Sequence, residues 1–247
     1  MLPFARTTIL ATALAALTGC VTETDTPEWD FEAQRLENRN NTIEIVETCR
    51  ASECGRLNLD SGLLEDYRLI ADLTHVTALM MSYTDFEDLS AIAPMSQLRE
   101  LHIGQTRVSD LSGLSNFPNL RLLHAQFIET SDLAPIGRLT RLEELVIGGH
   151  RVNDLSFLRN LSRLKTLNID ASEVTDLSPL ASLRALETLD MMDMEMPADL
   201  TPLLRLRNLK TVSASDWRQL TPEQQAVIDQ LTAKGVEFNI MVSVVAC

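Results

Sequence analysis

The sequence predicts an α/β solenoid, in which short parallel strands and tight helical turns alternate along one stacked core. A unit of 22 residues recurs with almost no slippage, starting at Cys54, Val76, Leu98, Leu120, Leu142, Leu164 and Leu186. Each unit carries two apolar residues two positions apart, which is strand spacing, and then leucines three residues apart, which suit a helical turn. Because no such unit can bury its apolar residues alone, neighbouring units are expected to stack with their strands parallel.

The unit is clearest from Leu98 to Asn119. Its fourth position is leucine in every copy: Leu57, Leu79, Leu101, Leu123, Leu145, Leu167 and Leu189. Two residues later stand Leu59, Met81, Ile103, Ala125, Ile147, Ile169 and Met191. The helical turn is marked by Leu89, Leu111, Leu133, Leu155, Leu177 and Leu200. Each unit is therefore predicted to be a strand, a turn and a helical return.

These repeats resemble the leucine-rich-repeat family, in particular its 22-residue class in internalin-like bacterial proteins, over about two thirds of the chain. The resemblance implies a horseshoe with a concave parallel sheet, short and mostly 3-10 convex returns, and a cap at each end. The family usually has Asn at the ninth repeat position, where this chain has Gly62, Thr84, Thr106, Ile128, His150, Ser172 and Met194. The Thr and Ser hydroxyls can still bond a backbone group, whereas Ile128, His150 and Met194 cannot continue a polar ladder.

The chain has 247 residues, and one elongated domain accounts for it. We assign residues 1–19 to a signal peptide and residues 20–53 to a lipidated tether and an N-terminal cap. Residues 54–219 form the repeats, seven complete and an eighth partial, and residues 220–247 form a C-terminal cap of helix and strand. No second globular domain is needed.

The N-terminal segment reads as an export signal. It carries one positive charge at Arg6, an apolar run at 9–17 and small residues at its end, and it is too short to span a membrane. Its last residues, Leu-Thr-Gly-Cys, resemble the lipobox of bacterial lipoproteins, which implies cleavage before Cys20 and acylation of that residue. Val21 stands where lipoproteins retained in the inner membrane typically have Asp, so the resemblance implies the Gram-negative outer membrane. The alternative is an ordinary cleaved signal in which Cys20 is incidental.

The N-terminal cap is predicted to contain a helix from Trp29 to Asn38 and a strand from Thr42 to Glu47, since Ile43 and Ile45 alternate. An exported compartment permits disulfides, and we expect one between Cys49 and Cys54. A metal site at this pair is the alternative, although no further ligands lie nearby in sequence. Cys247 lies too far along the stack to pair with either, and is expected to be free or intermolecular.

The C-terminal cap follows an eighth strand that begins within 209–214. Thr221 is predicted as the N-cap of a helix, Pro222 as its first residue and Gln224 as the capping-box partner. Gly235 should end this helix. The alternation across 236–242 then predicts a last strand.

The formal net charge is −14, from 35 Asp and Glu against 21 Lys and Arg. Part of it belongs to the repeat, because Asp66, Asp88, Asp110, Asp132, Asp154, Asp176 and Asp199 recur just before the helical return. These side chains can accept backbone N–H groups of the first turn as N-caps, and a ligand or metal ladder is the alternative. The acidity argues against nucleic-acid binding, which needs clustered Lys and Arg.

The concave face is where a binding site is expected. Its early repeats present the predicted protein-binding residues Met80, Tyr83, His102, His124 and Phe127, with Leu122 beside them. Exposed aromatic and apolar groups in a polar frame are typical of protein-binding patches. Later repeats present Asp170, Asp190 and Asp193. In the alternative, Tyr83 and Phe127 fold back over the edge of the core.

Two histidines of this face fall on adjacent strands, His102 and His124, close enough to share a metal with Glu100 as the nearest third ligand. Two exposed polar histidines are the simpler interpretation. No catalytic motif such as G-x-S-x-G or H-E-x-x-H is present, so we expect no enzyme and no cofactor. The sequence predicts a membrane-anchored lipoprotein that binds another protein through its concave face. The alternatives are a structural envelope lipoprotein without a specific ligand, or a metal-binding protein.

Overall fold

A computed structural model of the chain describes residues 31–130, 132–149, 152–195, 197–215 and 220–241. Nine parallel strands form one sheet in chain order, β1 to β9. The strands are β1 Arg56–Asn58, β2 Ala78–Met80, β3 Glu100–His102, β4 Leu122–His124, β5 Glu144–Val146, β6 Thr166–Asn168, β7 Thr188–Met191, β8 Thr211–Ser215 and β9 Glu237–Met241. The predicted solenoid is confirmed: an open, curled sheet carries the helical returns on its other side.

The returns are short 3-10 helices, as expected. They span Tyr67–Ile70, Leu89–Ile92, Ser112–Asn116, Ala134–Arg138, Ser156–Asn160, Ser178–Ser182 and Thr201–Arg205. Two α-helices flank the repeats, α1 Phe31–Ser52 and α2 Pro222–Ala233. Within the described ranges, no helix is both long enough and apolar enough to cross a bilayer.

The repeat sets the register of the sheet. Leu101 of β3 pairs with Leu123 of β4, its equivalent one repeat later, and the same shift holds from β1 to β7. From β7 to β8 the shift lengthens, because one inserted residue places Leu189 opposite Val212. The fourth-position leucines are fully buried in one continuous core. Stacking therefore supplies the apolar contacts that a single unit lacks.

The repeated aspartates cap the returns, as the N-cap interpretation predicted. Each one accepts a hydrogen bond from the backbone N–H two residues later, at 2.7 to 3.0 Å: Asp66, Asp88, Asp110, Asp132, Asp154, Asp176 and Asp199. Asp154 also accepts the hydroxyl proton of Ser156 at 2.7 Å. These bonds favour the charged carboxylate and lower the pKa of Asp154 below its ordinary value.

The ninth-position hydroxyls bond the backbone where the sequence provides them. Thr84 and Thr106 each donate to the carbonyl oxygen three residues earlier at 2.7 Å, within the core. Ser172 instead points at the sulfur of Met194, at 3.8 Å. The ninth-position hydroxyls thus bond a backbone carbonyl in the early repeats, whereas Ser172 bonds a side-chain sulfur.

The predicted N-terminal strand at 42–47 is wrong, because the whole segment belongs to one long helix, α1, which also extends beyond the predicted helix. Thr42, Val46 and Cys49 are the buried residues of α1, and their spacing of four and three residues is helical. Ile45, which suggested strand alternation, is 46% exposed. The helical face that packs on β1 therefore outweighs the short alternation.

Helix α1 is fastened to the first repeat. Cys49 and Cys54 form a disulfide with a Cα–Cα distance of 4.8 Å. The Thr42 hydroxyl donates to the carbonyl oxygen of Asn38 at 2.8 Å and accepts from the N–H of Leu63 at 3.0 Å. Arg50 forms an ion pair with Asp72 at 2.9 Å. Cys20 and Cys247 lie outside the described residues.

The C-terminal elements form as predicted. Thr221 and Gln224 make a reciprocal capping box at the start of α2. Lys234 ends the helix, and Gly235 follows in the left-handed region with φ of +90°. Strand β9 then adds to β8 as the last strand of the described sheet.

Candidate functional site

The concave face is built from the outward side chains of the strands. One column comprises the fifth repeat positions, Asn58, Met80, His102, His124, Val146, Asn168, Asp190 and Ser213. The parallel column at the third positions comprises Arg56, Ala78, Glu100, Leu122, Glu144, Thr166, Thr188 and Thr211. Neighbouring members of a column lie about 4.8 Å apart, the spacing of paired strands.

Every described concave strand of the seven full repeats ends in a left-handed turn at its eighth position. Positive φ values between 53° and 61° occur at Ser61, Tyr83, Gln105, Phe127, Ala171 and Asp193, and Gly149 has φ of 141°. This conformation is uncommon for bulky residues. It is held by hydrogen bonds to the next repeat: Tyr83 N–H donates to Gly104 at 3.0 Å and Phe127 N–H to Gly148 at 2.9 Å.

The left-handed turns expose two aromatic rings at the edge of the concave face. The Tyr83 side chain is 58% exposed and that of Phe127 is 47% exposed. Of the two interpretations left open by the sequence, the rings therefore face solvent and do not fold back over the core. We call Tyr83 and Phe127, with Gln105 between them on the intervening repeat, the aromatic patch.

Phe127 leans on the next repeat, where Gly149 makes room for its ring and Gly148 precedes it in the chain. A β-carbon at Gly149 would lie 3.4 Å from the Phe127 ring. A small cavity of about 150 Å³ opens below the ring, lined in part by Ala125, Ile128 and Ile147. Ala125 stands where most repeats have Leu, Ile or Met, and this smaller side chain leaves the space. The glycines and Ala125 are the sequence signal that could have located this feature.

The two histidines meet on the concave face, as the repeat predicted. His102 and His124 are directly paired across β3 and β4, and their ring centroids lie 4.3 Å apart in an edge-to-face arrangement. Nε2 of His124 bonds Oε1 of Glu144 at 2.7 Å. Glu144 is a contact that the sequence did not predict, although its place one strand beyond His124 follows from the repeat.

His102 is the more enclosed member of the pair. Its Nε2 atom is buried and has no hydrogen-bond partner among the described residues. Desolvation by burial and the nearby His124 charge lower the pKa of His102 below its ordinary value of 6.5. The charged form of the His102 ring is therefore disfavoured. Because the residue is half-buried, the expectation that it is simply an exposed polar residue is wrong.

The third metal ligand suggested by the sequence is engaged elsewhere. Glu100 forms an ion pair with Arg56 at 3.0 Å. Within the described part of the chain, no three His, Cys, Asp or Glu residues converge to hold a metal ion. Glu144 bonds one histidine of the pair, but it does not complete a metal-holding group with His102 and His124 in the described residues.

Met80 does not present the exposed surface that the sequence predicted. It lies beside His102 in the fifth-position column, yet its side chain is only 6% exposed. Leu122 is half-buried in the third-position column. Of the five predicted binding residues, Tyr83 and Phe127 therefore offer the most open contact area, with His102 and His124 as a half-buried polar floor between them.

The acidic residues of the later repeats take part in hydrogen bonds within and between the turns. Asp170 accepts a hydrogen bond from the N–H of Met192 at 2.7 Å and another from the side-chain amide of Asn168 at 2.6 Å. Burial raises the pKa of Asp170 above its ordinary value. Asp193 occupies a left-handed turn, and its N–H donates to the hydroxyl of Ser215 at 3.1 Å. These carboxylates do not converge on a common point.

Solved structures of bacterial proteins share this fold. Internalin F of Listeria monocytogenes has a TM-score of 0.67 at 23% identity, with 86% of this chain and 64% of that protein covered. Internalin C2 of the same organism has a TM-score of 0.64 at 20% identity, with 82% and 92% covered. A leucine-rich-repeat protein of Leptospira interrogans has a TM-score of 0.56 at 20% identity, with 71% and 46% covered.

This chain thus spans just under two thirds of internalin F. No protein-family model matches the sequence, and no curated protein matches it. The structural likeness shows an internalin-like leucine-rich-repeat fold, as the repeat predicted. Folds of this type present an extended concave surface.

Proposed function

We propose that this chain is a membrane-anchored lipoprotein that binds another protein through the early repeats of its concave face. The observation that carries the proposal is the exposure of Tyr83 and Phe127 on left-handed turns. The two residues are two repeats apart, which places their backbones about 10 Å from each other. That separation suits one contiguous contact patch.

The chemistry of the aromatic patch favours a protein ligand. Tyrosine and other large aromatic side chains are enriched among the residues that dominate protein interfaces, because they bury much area for few rotatable bonds. The turns that carry them are tied to the next repeat by backbone hydrogen bonds. A preorganised backbone reduces the ordering cost of binding.

The polar floor, His102 and His124, can orient a bound protein on the concave face. The His124–Glu144 pair offers hydrogen-bonding groups beside the aromatic rings. An apolar anchor with polar groups around it is the usual composition of a specific interface. We infer a binding role for this face and no catalytic one.

Membrane anchoring is the second part of the proposal. It is supported by the lipobox-like end of the signal segment, with acylation at Cys20. More than one acyl chain on this cysteine would meet the requirement for stable anchoring. We propose the Gram-negative outer membrane as the location, because Val21 follows Cys20. Lipoproteins that are retained in the inner membrane typically have Asp after the acylated cysteine, and this chain has Val21 there.

The anchoring test uses metabolic labelling with an alkyne-tagged fatty acid and membrane fractionation. We expect the wild-type chain to carry the label and to sediment with the outer membrane, and a Cys20→Ser variant to lose both. Unlabelled wild-type protein in the soluble envelope fraction would overturn the anchor while leaving the concave-face proposal intact.

The binding test compares two double variants by crosslinking in intact native cells, followed by affinity recovery. The first, Tyr83→Asn with Phe127→Asn, removes the rings but keeps a residue type that tolerates the left-handed turn. The matched control, Ile45→Ser with Leu69→Ser, removes two apolar residues that are 46% and 52% exposed and lie outside the aromatic patch.

We expect one defined protein to be recovered by wild type and by the control, and to be lost from the concave-face variant. Equal recovery by both variants would assign binding to another surface. If wild type recovers no protein beyond those recovered by an unrelated lipoprotein, a structural envelope role without a specific ligand is favoured.

A further inference from the structure

A cleft with an unusual charge lies away from the concave face, on the returns of the last repeats. It has a volume of about 500 Å³ and is lined by Ala181, Arg184, Leu204, Arg205 and Arg207. No carboxylate of the described residues lines it. In a chain with a net charge of −14, three arginines around one depression form a local reversal of the charge. We call Arg184, Arg205 and Arg207 the arginine cleft.

The repeat stacks two of these arginines on each other. The pairing of Thr188 with Thr211 shows that equivalent residues of these two coils are separated by 23 positions. Arg184 and Arg207 are therefore equivalent residues of neighbouring coils, and Arg205 is two residues before the second. Like charges placed at equivalent positions repel each other unless an anion lies between them.

The arginines of the cleft lack, among the described residues, the acidic partners that several other cations have. None of the three forms an ion pair with a described residue, and all are exposed. In contrast, four arginines of the N-terminal part pair with carboxylates at 2.6 to 3.0 Å: Arg39, Arg50, Arg56 and Arg68. The cleft cations are thus available to a ligand.

The neighbouring acceptors are already occupied. Glu187, the acid that follows Arg184 in sequence, is paired with Lys210, which lowers the pKa of Glu187. The carbonyl oxygen of Arg184 accepts from the side-chain amide of Asn208 at 2.7 Å. The carbonyl oxygen of Leu204, at the cleft wall, accepts from Nζ of Lys234 at 3.5 Å. Lys234 thereby brings a fourth cation to the rim.

We propose that the arginine cleft binds a phosphate group. The planar guanidinium presents N–H donors in a fork that matches the oxygens of a phosphate, and three forks facing one depression can share a single anion. Two sources have this chemistry: the headgroup of an anionic phospholipid and a soluble phosphate ester. The site is independent of the concave face, so it does not depend on the proposed protein binding.

The experiment measures both sources with the purified chain from residue 21 onwards. One arm titrates inorganic phosphate and follows the arginine Nε–H signals by NMR. The other measures co-sedimentation with vesicles of phosphatidylglycerol and phosphatidylcholine, against vesicles of phosphatidylcholine alone. The variant Arg184→Gln with Arg207→Gln is compared with a control that removes the same charge, Arg35→Gln with Arg99→Gln.

We expect the wild type and the control to bind, and the cleft variant to bind at least tenfold more weakly in the same arm. Rising salt should weaken the interaction, because the charges are exposed. Binding only to anionic vesicles assigns a headgroup, and binding to phosphate without vesicle binding assigns a soluble ester. Absence of binding in both arms, or equal loss in the cleft variant and the control, would overturn the proposal.

Discussion

Replacement of Gly148 by alanine tests how closely neighbouring coils approach at the concave edge. Gly148 is buried at the end of β5, and a β-carbon there would lie 2.4 Å from the backbone oxygen of Asp170 on the next coil. That atom cannot rotate away, since it belongs to the backbone. The same oxygen accepts the N–H of Gly149 at 2.8 Å. The two coils must therefore separate locally.

The expected cost follows from the distance. An ordinary contact for a β-carbon begins near 3.4 Å, so the backbones must part by about 1 Å. Overpacking of this kind costs about 1–3 kcal/mol, and weakening of the inter-coil hydrogen bond adds about 1 kcal/mol. We therefore expect Gly148→Ala to lower the free energy of unfolding by about 2–4 kcal/mol.

Two further alanine variants calibrate this result. At Gly104 the three atoms nearest to a β-carbon would all belong to the flexible side chain of Gln126, so a smaller loss is expected. At Gly55 it would meet nothing within 4 Å, so a change within about 0.5 kcal/mol is expected. Urea unfolding followed by far-ultraviolet circular dichroism measures all three. A Gly148→Ala protein as stable as Gly55→Ala would refute the close stacking described here.

Three other perturbations have defined outcomes. Acid should destabilise the fold, because hydrogen bonds from the returns lower the pKa of Asp88, Asp110, Asp154 and Asp199. The stabilisation from these carboxylates is present above about pH 4 and is lost as the pH falls through the folded pKa. The Asp154→Ala variant should show a shallower acid loss in thermal melts from pH 5 to 2. Because the pKa of His102 is lowered in the folded state, the unfolded chain binds a proton at this histidine at a higher pH than the folded chain does. The free energy of unfolding should therefore fall as the pH drops below 6.5. The His102→Gln variant should make the melting temperature less dependent on pH in that range. Reduction of the Cys49–Cys54 disulfide should lower the free energy of unfolding by about 2 kcal/mol, a modest loss because the closed loop is short. Urea unfolding measures this loss, and an unchanged urea midpoint would show that the disulfide does not stabilise the fold.

The parts of the fold that repeat are the parts that the sequence predicts well. Leucine spacing determines which residues face the core, and the aspartate ladder gives the start of each return, because both requirements recur in every coil. The C-terminal helix was equally predictable, since Thr221 and Gln224 satisfy each other's backbone N–H groups and Pro222 has no N–H to satisfy. Local chemistry and periodicity are sufficient for these elements.

The N-terminal cap was less predictable because it does not repeat. The alternation of Ile43 and Ile45 favoured a strand, whereas the helical spacing of Thr42, Val46 and Cys49 decides the fold through packing on the first coil. That contact depends on tertiary structure, which overrides a short local pattern.

The candidate site was predicted in position but not in detail. The columns of the concave face followed from the repeat, so the contact between His102 and His124 was anticipated. The burial of Met80 and the left-handed turns at Tyr83 and Phe127 depend on side-chain packing and on hydrogen bonds between coils. Gly149, at the same repeat position as the two aromatic residues, was the one local hint of that turn.

The most direct test of concave-face binding places a photoreactive phenylalanine analogue at single positions in native cells. Tyr83 and Phe127 probe the aromatic patch, and the exposed residues Ile45 and Leu69 serve as controls outside it. If the early concave face binds a protein, the analogue at either patch position crosslinks to the same protein and the controls do not. Crosslinks from the control positions alone would contradict the account.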